Sequence, residues 1–157
     1  MRLHAAVAVL AALGVGLGCG GGAESKPEPK PETSPKPAGP EPDHILVAHV
    51  LIAFQGTGTK ATRSRAAAEK LAGEVLAKAR KGDDFNKLIR DFSDDSGEGV
   101  YGLANHRVSP VDPEYERRKM VPAFGDVGFD LEPGEVGMAS YDPRKSPYGW
   151  HIIKRLK

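Results

Sequence analysis

The sequence predicts an α+β domain with a small sheet, and three segments carry this prediction. Residues 44–54 (HILVAHVLIAF) are apolar and β-branched at odd and even positions alike, which is typical of a strand covered on both faces. Residues 65–82 repeat Ala, Leu and Val at helical spacing, which predicts a helix of about four turns. Residues 148–157 (YGWHIIKRLK) predict a final strand. Strands that are few and far apart in sequence favour the α+β class.

The chain between these segments predicts three further elements. Gly82 is suited to end the first helix, and Asp83 and Asp84 stand where the N-cap of a second, shorter amphipathic helix belongs. Residues 93–102 are rich in Asp and Gly, which predicts a loop. A third short helix is expected to end near Leu131, and residues 136–142 are expected to form a strand. The predicted order is therefore β-α-α-loop-α-β-β.

Length and charge limit the function classes. The chain has 157 residues, room for one domain, and its 22 Lys and Arg balance 21 Asp and Glu. This balance argues against nucleic-acid binding through a basic surface. The segment GTGTK lacks the second glycine and the Lys-Ser/Thr pair of a phosphate-binding loop, and HExxH and CxxC spacings are missing. We therefore expect no cofactor and no metal.

The N-terminus has the pattern of an export signal. Residues 1–18 carry Arg2 and then an apolar run that is short for a membrane span. The run stops at Cys19, the only cysteine, in the sequence GLGCGGG. This stretch resembles a bacterial lipoprotein signal, in which the cysteine becomes the lipidated N-terminus. Gly18 fits that pattern and Gly16 fits it less well. The alternative is an ordinary cleaved signal with an incidental cysteine.

Residues 19–43 are predicted to be a lipidated cysteine followed by a proline-rich disordered linker. Seven of the 13 prolines lie between residues 20 and 43, separated by Lys, Glu, Ser and Thr. This stretch has too few apolar residues to build a core, and its prolines favour an extended polyproline II spacer. We expect the spacer to hold the domain away from a membrane surface. Docking through its prolines is the alternative.

Five separated motifs of the domain resemble one known family. They are AHVLIAF, an Ala/Leu/Lys helix, DFNKLIRDFSDDS, MVPAFGDVGFDLEPGEVG and SPYGWHIIKRL, and together they span nearly all of residues 44–157. In this order they resemble a parvulin domain, a peptidyl-prolyl cis-trans isomerase. The resemblance implies the FKBP-like superfold, with a four-stranded antiparallel sheet surrounded by helices. It also implies a short strand near Gly99–Gly102, which periodicity alone does not show.

The resemblance also implies a catalytic cluster. His49 and His151 match the two histidines that lie side by side in the parvulin cleft, and Asp95 matches the position that holds Cys or Asp. Ser146 falls where the family commonly has a Thr that hydrogen-bonds the second histidine. Taken alone, each histidine is more often a hydrogen-bonded core residue. In the same way, Asp95 could simply cap a loop and Ser146 could be a turn residue.

A proline pocket is implied by the same resemblance. Met120 and Phe124, spaced as in MVPAF, match the residues that hold the substrate proline ring, and positions four apart share a helix face. Tyr101 stands where the family usually has Leu. Ordinary core packing is the alternative for all three. Residues 103–119 are longer than the usual connection, and the sequence assigns them no role.

These matches imply an isomerase that acts as a monomer on X-Pro bonds of unfolded or extended proline-containing polypeptides, exported or in the cell envelope, without a covalent intermediate. Phosphate selectivity would need clustered cations, whereas Lys60, Arg63 and Arg65 are spread along residues 55–65. The main alternative is a non-catalytic chaperone or peptide-binding module, which the altered stretch GVYG favours. A metal site of His and Asp is a weaker alternative, because no spacing requires it.

Overall fold

One sheet and three α-helices make up the part of the chain that the computed structural model describes, residues 39–157. A short 3-10 helix precedes the third α-helix. In chain order the elements are β1 (His44–Ile52), α1 (Arg65–Arg80), α2 (Phe85–Phe92), β2 (Val100–Ala104), β3 (Tyr115–Glu116), the 3-10 helix (Arg117–Lys119), α3 (Pro122–Asp130), β4 (Val136–Ala139) and β5 (Trp150–Arg155). The predicted α+β class is confirmed.

The sheet has the strand order β3-β2-β1-β5-β4. β1 lies at the centre and pairs antiparallel with β2 and β5. Its sequence is apolar at both parities because α1 and α2 pack on one face of the sheet and α3 packs on the other. The sheet is larger than the four antiparallel strands expected, because β3 adds a fifth, parallel to β2 at the pair Leu103–Tyr115. This strand comes from residues 103–119 and has only two residues, too few to produce a periodic pattern.

Local signals determine where the first two helices begin. The Ser64 side chain caps α1 by accepting a hydrogen bond from the Ala67 amide. Of the two predicted N-cap residues, it is Asp84 that caps α2, by accepting from the amides of Asn86 and Lys87. α3 instead has Pro122 in its first turn, where a missing N–H costs no helical hydrogen bond.

Alternate residues of β1 and β5 pack on opposite faces of the sheet. The face against α1 and α2, here called the α1 face, includes Val50 and Ile152. The face against α3, here called the α3 face, includes Val47 and Ile153. His49 shares its parity with Val47, and His151 shares its parity with Ile153. Both histidines therefore lie on the α3 face.

The predicted signal, Cys19 and most of the linker lie outside the described residues and stay predictions. The end of the linker contacts the domain, since the Glu41 carboxylate accepts a hydrogen bond of 2.7 Å from the Arg117 guanidinium. Within residues 39–157, no helix is both long enough and apolar enough to span a membrane.

Candidate active site

Strand register brings the two predicted histidines together. β1 and β5 pair with His49 opposite Ile153 and Leu51 opposite His151, so the histidines are diagonal neighbours on one face. Their rings are nearly parallel, with centroids 5.5 Å apart, and the two Nδ1 atoms are 3.4 Å apart. Each histidine is only 4% exposed. This juxtaposition is the one that the resemblance implied.

The loop after α2 delivers Asp95 to the first histidine. The Ser93 hydroxyl accepts from the Leu51 amide, and the Asp94 carboxylate accepts from the Ala53 amide at 2.8 Å. These bonds fasten the loop to β1, so the next residue projects toward the histidines. Asp95 Oδ2 then lies 2.9 Å from His49 Nε2. Asp94 thus anchors the loop to β1, whereas Asp95 caps the loop through the Gly97 amide and also faces the imidazole.

The hydroxyl of Tyr101 reaches the same carboxylate. It donates to Asp95 Oδ2 at 2.9 Å, while the Gly97 amide donates to Oδ1 at 3.3 Å. The hydrogen bond from His49 is the main reason why the pKa of Asp95 lies well below its usual range, although burial opposes this shift. Burial, together with the Asp95 hydrogen bond, raises the pKa of Tyr101 to about 12. Sequence reasoning placed Tyr101 in the pocket but missed this hydroxyl contact.

These contacts define where the protons lie when both rings are neutral. An ionised Asp95 only accepts, so His49 carries its proton on Nε2 and its Nδ1 is a bare acceptor. His151 must then donate from Nδ1, which leaves its Nε2 as a second bare acceptor. That atom is buried and has no hydrogen-bond partner among the described residues. Burial also lowers the pKa of His151 to about 3, so this ring is neutral near pH 7.

Ser146 does not make the hydrogen bond that the resemblance implied. Its hydroxyl is fully buried and donates to the Gly149 carbonyl at 2.8 Å instead of contacting His151. The Ser146 amide also donates to the Asp142 carbonyl, so the residue closes the turn before β5. The expected contact is therefore wrong, and the turn alternative describes the position of Ser146.

An apolar pocket of about 620 Å³ adjoins the polar cluster. Met120 and Phe124 both line it, as expected, together with Tyr101 and the two histidines. The Phe124 ring meets His49 edge-on at 5.1 Å and His151 at 5.5 Å, and it also belongs to the α3-face core. Met120 precedes α3 as the C-cap of the 3-10 helix, so the expectation that both share a helix face is wrong.

The three cations of residues 55–65 do not form a cluster at the pocket. Arg63 donates to the Asp94 carboxylate and to the Ala53 carbonyl. The Arg65 guanidinium stacks over the Tyr141 ring at 4.8 Å. Lys60 does line the pocket. Within residues 39–157, no group of three His, Cys, Asp or Glu side chains is placed to hold a metal ion.

Comparison with known proteins identifies the family. The family model described as "PPIC-type PPIASE domain" matches residues 36–157, more than half of the chain. The chain belongs to this parvulin family. A solution structure titled TbPIN1 superimposes on this parvulin with a TM-score of 0.56, covering 73% of this chain and 98% of that one. At 19% identity the likeness shows the fold alone.

Two curated relatives of this parvulin are longer proteins. Foldase protein PrsA of Geobacillus kaustophilus (strain HTA426) is 41% identical over 86 residues, which are 55% of this chain and 27% of that protein. Chaperone SurA of Pseudomonas aeruginosa is 32% identical over 114 residues, 73% of this chain and 24% of that protein. The parvulin chain thus spans about a quarter of the length of the curated relatives it matches.

Proposed function

We propose that this parvulin catalyses cis–trans isomerisation of X-Pro bonds in extended polypeptides. The observation that carries the proposal is the meeting of a hydrogen-bonded Asp95–His49–His151 chain with an apolar pocket. One part is polar and rigidly oriented, and the other suits a proline ring. Both parts lie within a domain of the PPIC-type family.

The proposed reaction needs no nucleophile. Rotation about an X-Pro bond has a barrier of about 20 kcal/mol, because the twisted state loses amide resonance, and no covalent bond has to break. The described residues contain no cysteine that could act through a thiolate. The site would accelerate rotation by binding the twisted amide more tightly than the planar one.

The two parts of the cleft have different tasks in this proposal. Met120 and Phe124 hold the proline ring in the planar and the twisted states alike, so they contribute substrate binding. The polar chain faces the amide, whose charge distribution changes on rotation. Because its hydrogen bonds are already formed and both of its histidines are buried, this chain can stabilise the twisted state without reorganising.

We propose unphosphorylated X-Pro segments as substrates. Reading a phosphate requires cations that are free to bind it, preferably several. Arg63 and Arg65 are engaged within the domain, by Asp94 and Tyr141 respectively, which leaves Lys60 as the cation of residues 55–65 that lines the pocket. The ionised Asp95 at the same pocket would also repel a phosphate.

The test is a panel of X-Pro peptides, with and without a phosphate before proline, assayed with the full-length chain. We expect isomerisation above the spontaneous rate, higher for the unphosphorylated peptides, and much slower isomerisation with Asp95→Ala. Absence of acceleration on every peptide, with retained binding of an unfolded protein, would establish a second candidate function. That function is a non-catalytic chaperone, which the similarity to a relative named as a chaperone favours.

For the cell, we propose that residues 1–18 are removed and that Cys19 is lipidated. The domain would then serve exported or envelope proteins as a lipid-anchored monomer facing the periplasm or the exterior. The support is the position of GLGC between an apolar run and the spacer, together with similarity to a relative named as a foldase. The spacer would extend by about 3.1 Å per residue.

Mass spectrometry of the native membrane fraction tests the anchor. We expect an acylated Cys19 as the first residue, and release of Cys19→Ser from the membrane because the lipid chains that hold it are missing. An unmodified Cys19, or a mature N-terminus at another residue, would contradict lipidation and leave an ordinary export signal.

A further inference from the structure

The hydroxyl of Tyr101 fits into a slot of the loop that carries Asp95. A Cβ atom at Gly97 would lie 2.5 Å from the hydroxyl oxygen, closer than any real contact of that kind. The backbone of Gly97 is not in the positive-φ region, so its conformation does not itself require glycine. The missing side chain at position 97 therefore leaves room for the tyrosine hydroxyl.

The same hydroxyl binds the Asp95 carboxylate at a different oxygen from the loop amide. Tyr101 and His49 both donate to Oδ2 at 2.9 Å, and the Gly97 amide donates to Oδ1. The terminal torsion of an aspartate is otherwise broad, so each donor narrows the orientations that the carboxylate can adopt. Hydrogen bonds to a charged acceptor are the stronger kind, which gives the phenol a substantial share in this orientation.

We propose that Tyr101 is a positioning residue that acts through Asp95. Its hydroxyl holds the carboxylate in line with His49, which keeps the His49 proton on Nε2 and leaves Nδ1 free to accept from His151. The order of the whole polar chain then depends on a phenol that contacts neither histidine by a hydrogen bond. The effect on turnover rests on the proposed isomerase function, whereas the effect on the His49 proton does not.

The rival role for Tyr101 is an apolar wall of the pocket. Its ring centroid lies 5.3 Å from that of His49 and 6.2 Å from that of Phe124, contacts that need no hydroxyl. Tyr101→Phe keeps these ring contacts and removes only the oxygen. Gly97→Ala keeps the tyrosine and displaces its hydroxyl from the slot. Tyr115→Phe is the matched control, because Tyr115 is 52% exposed and Phe keeps its ring contact with Tyr101, whose centroid is 5.9 Å away.

The first experiment is a double-mutant cycle on isomerisation by the full-length chain. We expect Tyr101→Phe to lower kcat roughly tenfold with little change in KM, in keeping with the loss of a hydrogen bond to a charged group. Gly97→Ala should give a similar loss, and Tyr115→Phe none. In an Asp95→Ala background, Tyr101→Phe should cause no further loss. An equal loss in both backgrounds would overturn the proposal, as would an unchanged kcat.

The second experiment reads the His49 proton by 15N NMR of the imidazole rings and needs no turnover. We expect the wild-type and Tyr115→Phe chains to show His49 protonated on Nε2, and Tyr101→Phe and Gly97→Ala to show a mixture of tautomers. Unfolding in urea checks that every variant is folded. An identical His49 spectrum in Tyr101→Phe would overturn the proposal even if kcat falls. If the wild-type chain shows no isomerase activity, the proposed function is wrong. The His49 spectrum would still decide whether Tyr101 positions Asp95.

Discussion

The same strands form both faces of the sheet, but the α1 face is a packed core, whereas the α3 face also carries the candidate active site. On the α1 face, β5 contributes the buried side chains of Trp150 and Ile152 to a core shared with α1 and α2. On the α3 face, the next residues along the strand are His151 and Ile153, of which the first belongs to the polar chain and the second to the core. A shift of one residue along β5 therefore separates a packing position from a site position.

The difference in cover explains why one face can hold a site. α1 has 16 residues and places small side chains, Ala68 and Ala72, directly against the sheet, so its face is closed. α3 has nine residues and packs near Ile45 and Val47, where Gly128 allows a close approach. The rest of the α3 face opens into the pocket. Variants on the α1 face are therefore expected to change stability, whereas variants on the α3 face are expected to change isomerisation and, at His151, the pH dependence of stability.

The largest expected effect is on stability, from a substitution on the α1 face. Ile152→Ala removes buried side-chain volume from a fully buried position and leaves a cavity, so the free energy of unfolding should fall by about 3 kcal/mol. The kcat/KM of the folded fraction should stay close to wild type, because Ile152 points away from the pocket. Urea unfolding and isomerase assays under folding conditions measure both. A large loss of kcat/KM in the folded protein would show that the α1 face also contributes to the activity of the site.

Asp95→Ala tests whether the polar chain on the α3 face contributes to turnover. The variant removes the carboxylate that orients His49, and kcat should fall roughly 30-fold, the size expected for one lost charge-assisted hydrogen bond. Asp95 is partly exposed, so stability should change less than in Ile152→Ala. Peptide isomerisation and urea unfolding give the two numbers. A folded variant with an unchanged rate would show that Asp95 only caps the loop.

Lowering the pH should destabilise the folded domain through His151, which lies on the α3 face. Burial lowers the pKa of His151 to about 3, whereas the unfolded chain titrates near 6.5. Between these values the unfolded state binds a proton that the folded state does not bind, so stability is complete above pH 6.5 and falls as the pH decreases toward 3. From pH 7 to pH 5 the loss should be about 2 kcal/mol. Urea unfolding at both pH values measures it.

His151→Gln is the control for this pH effect. The variant removes the titrating ring, so its stability should change less between pH 7 and pH 5 than that of the wild type. The other histidines are still present in both proteins, and the difference between the two therefore isolates His151. The same pH dependence in both proteins would mean that this ring does not account for the loss.

The smallest expected effect is at the pocket rim. Met120→Ala removes an apolar side chain that lines the pocket and that, in the proposed function, holds the proline ring in the planar and twisted states alike, so KM should rise about fivefold with kcat unchanged. Met120 is partly exposed, which limits the cost in stability. Phe124→Ala should weaken binding too, but Phe124 is 2% exposed and its loss would also open the core. A fall in kcat for Met120→Ala would contradict the division between binding and turnover.

Local patterns in the sequence were sufficient for much of the fold. The apolar run of β1, the helical spacing of α1 and the Asp84 cap each depend on residues a few positions apart, where periodicity and side-chain chemistry act directly. Resemblance to a family supplied what periodicity lacked, namely β2 and the convergence of the site residues.

The tertiary structure decided the contacts that join distant parts of the chain. β3 forms because a two-residue segment pairs with the edge of β2. Two residues are too few to give a sequence pattern that predicts a strand. The Tyr101 hydroxyl bond to Asp95, the engagement of Arg63 by Asp94 and the turn role of Ser146 each depend on strand register and side-chain rotamers. The sequence by itself therefore determined that β1 would be covered on both faces and where α1 and α2 would form, since these features follow from residues a few positions apart. Only strand pairing decided which polar atoms form hydrogen bonds on the α3 face, because a hydrogen bond is directional and is lost within about 1 Å of displacement.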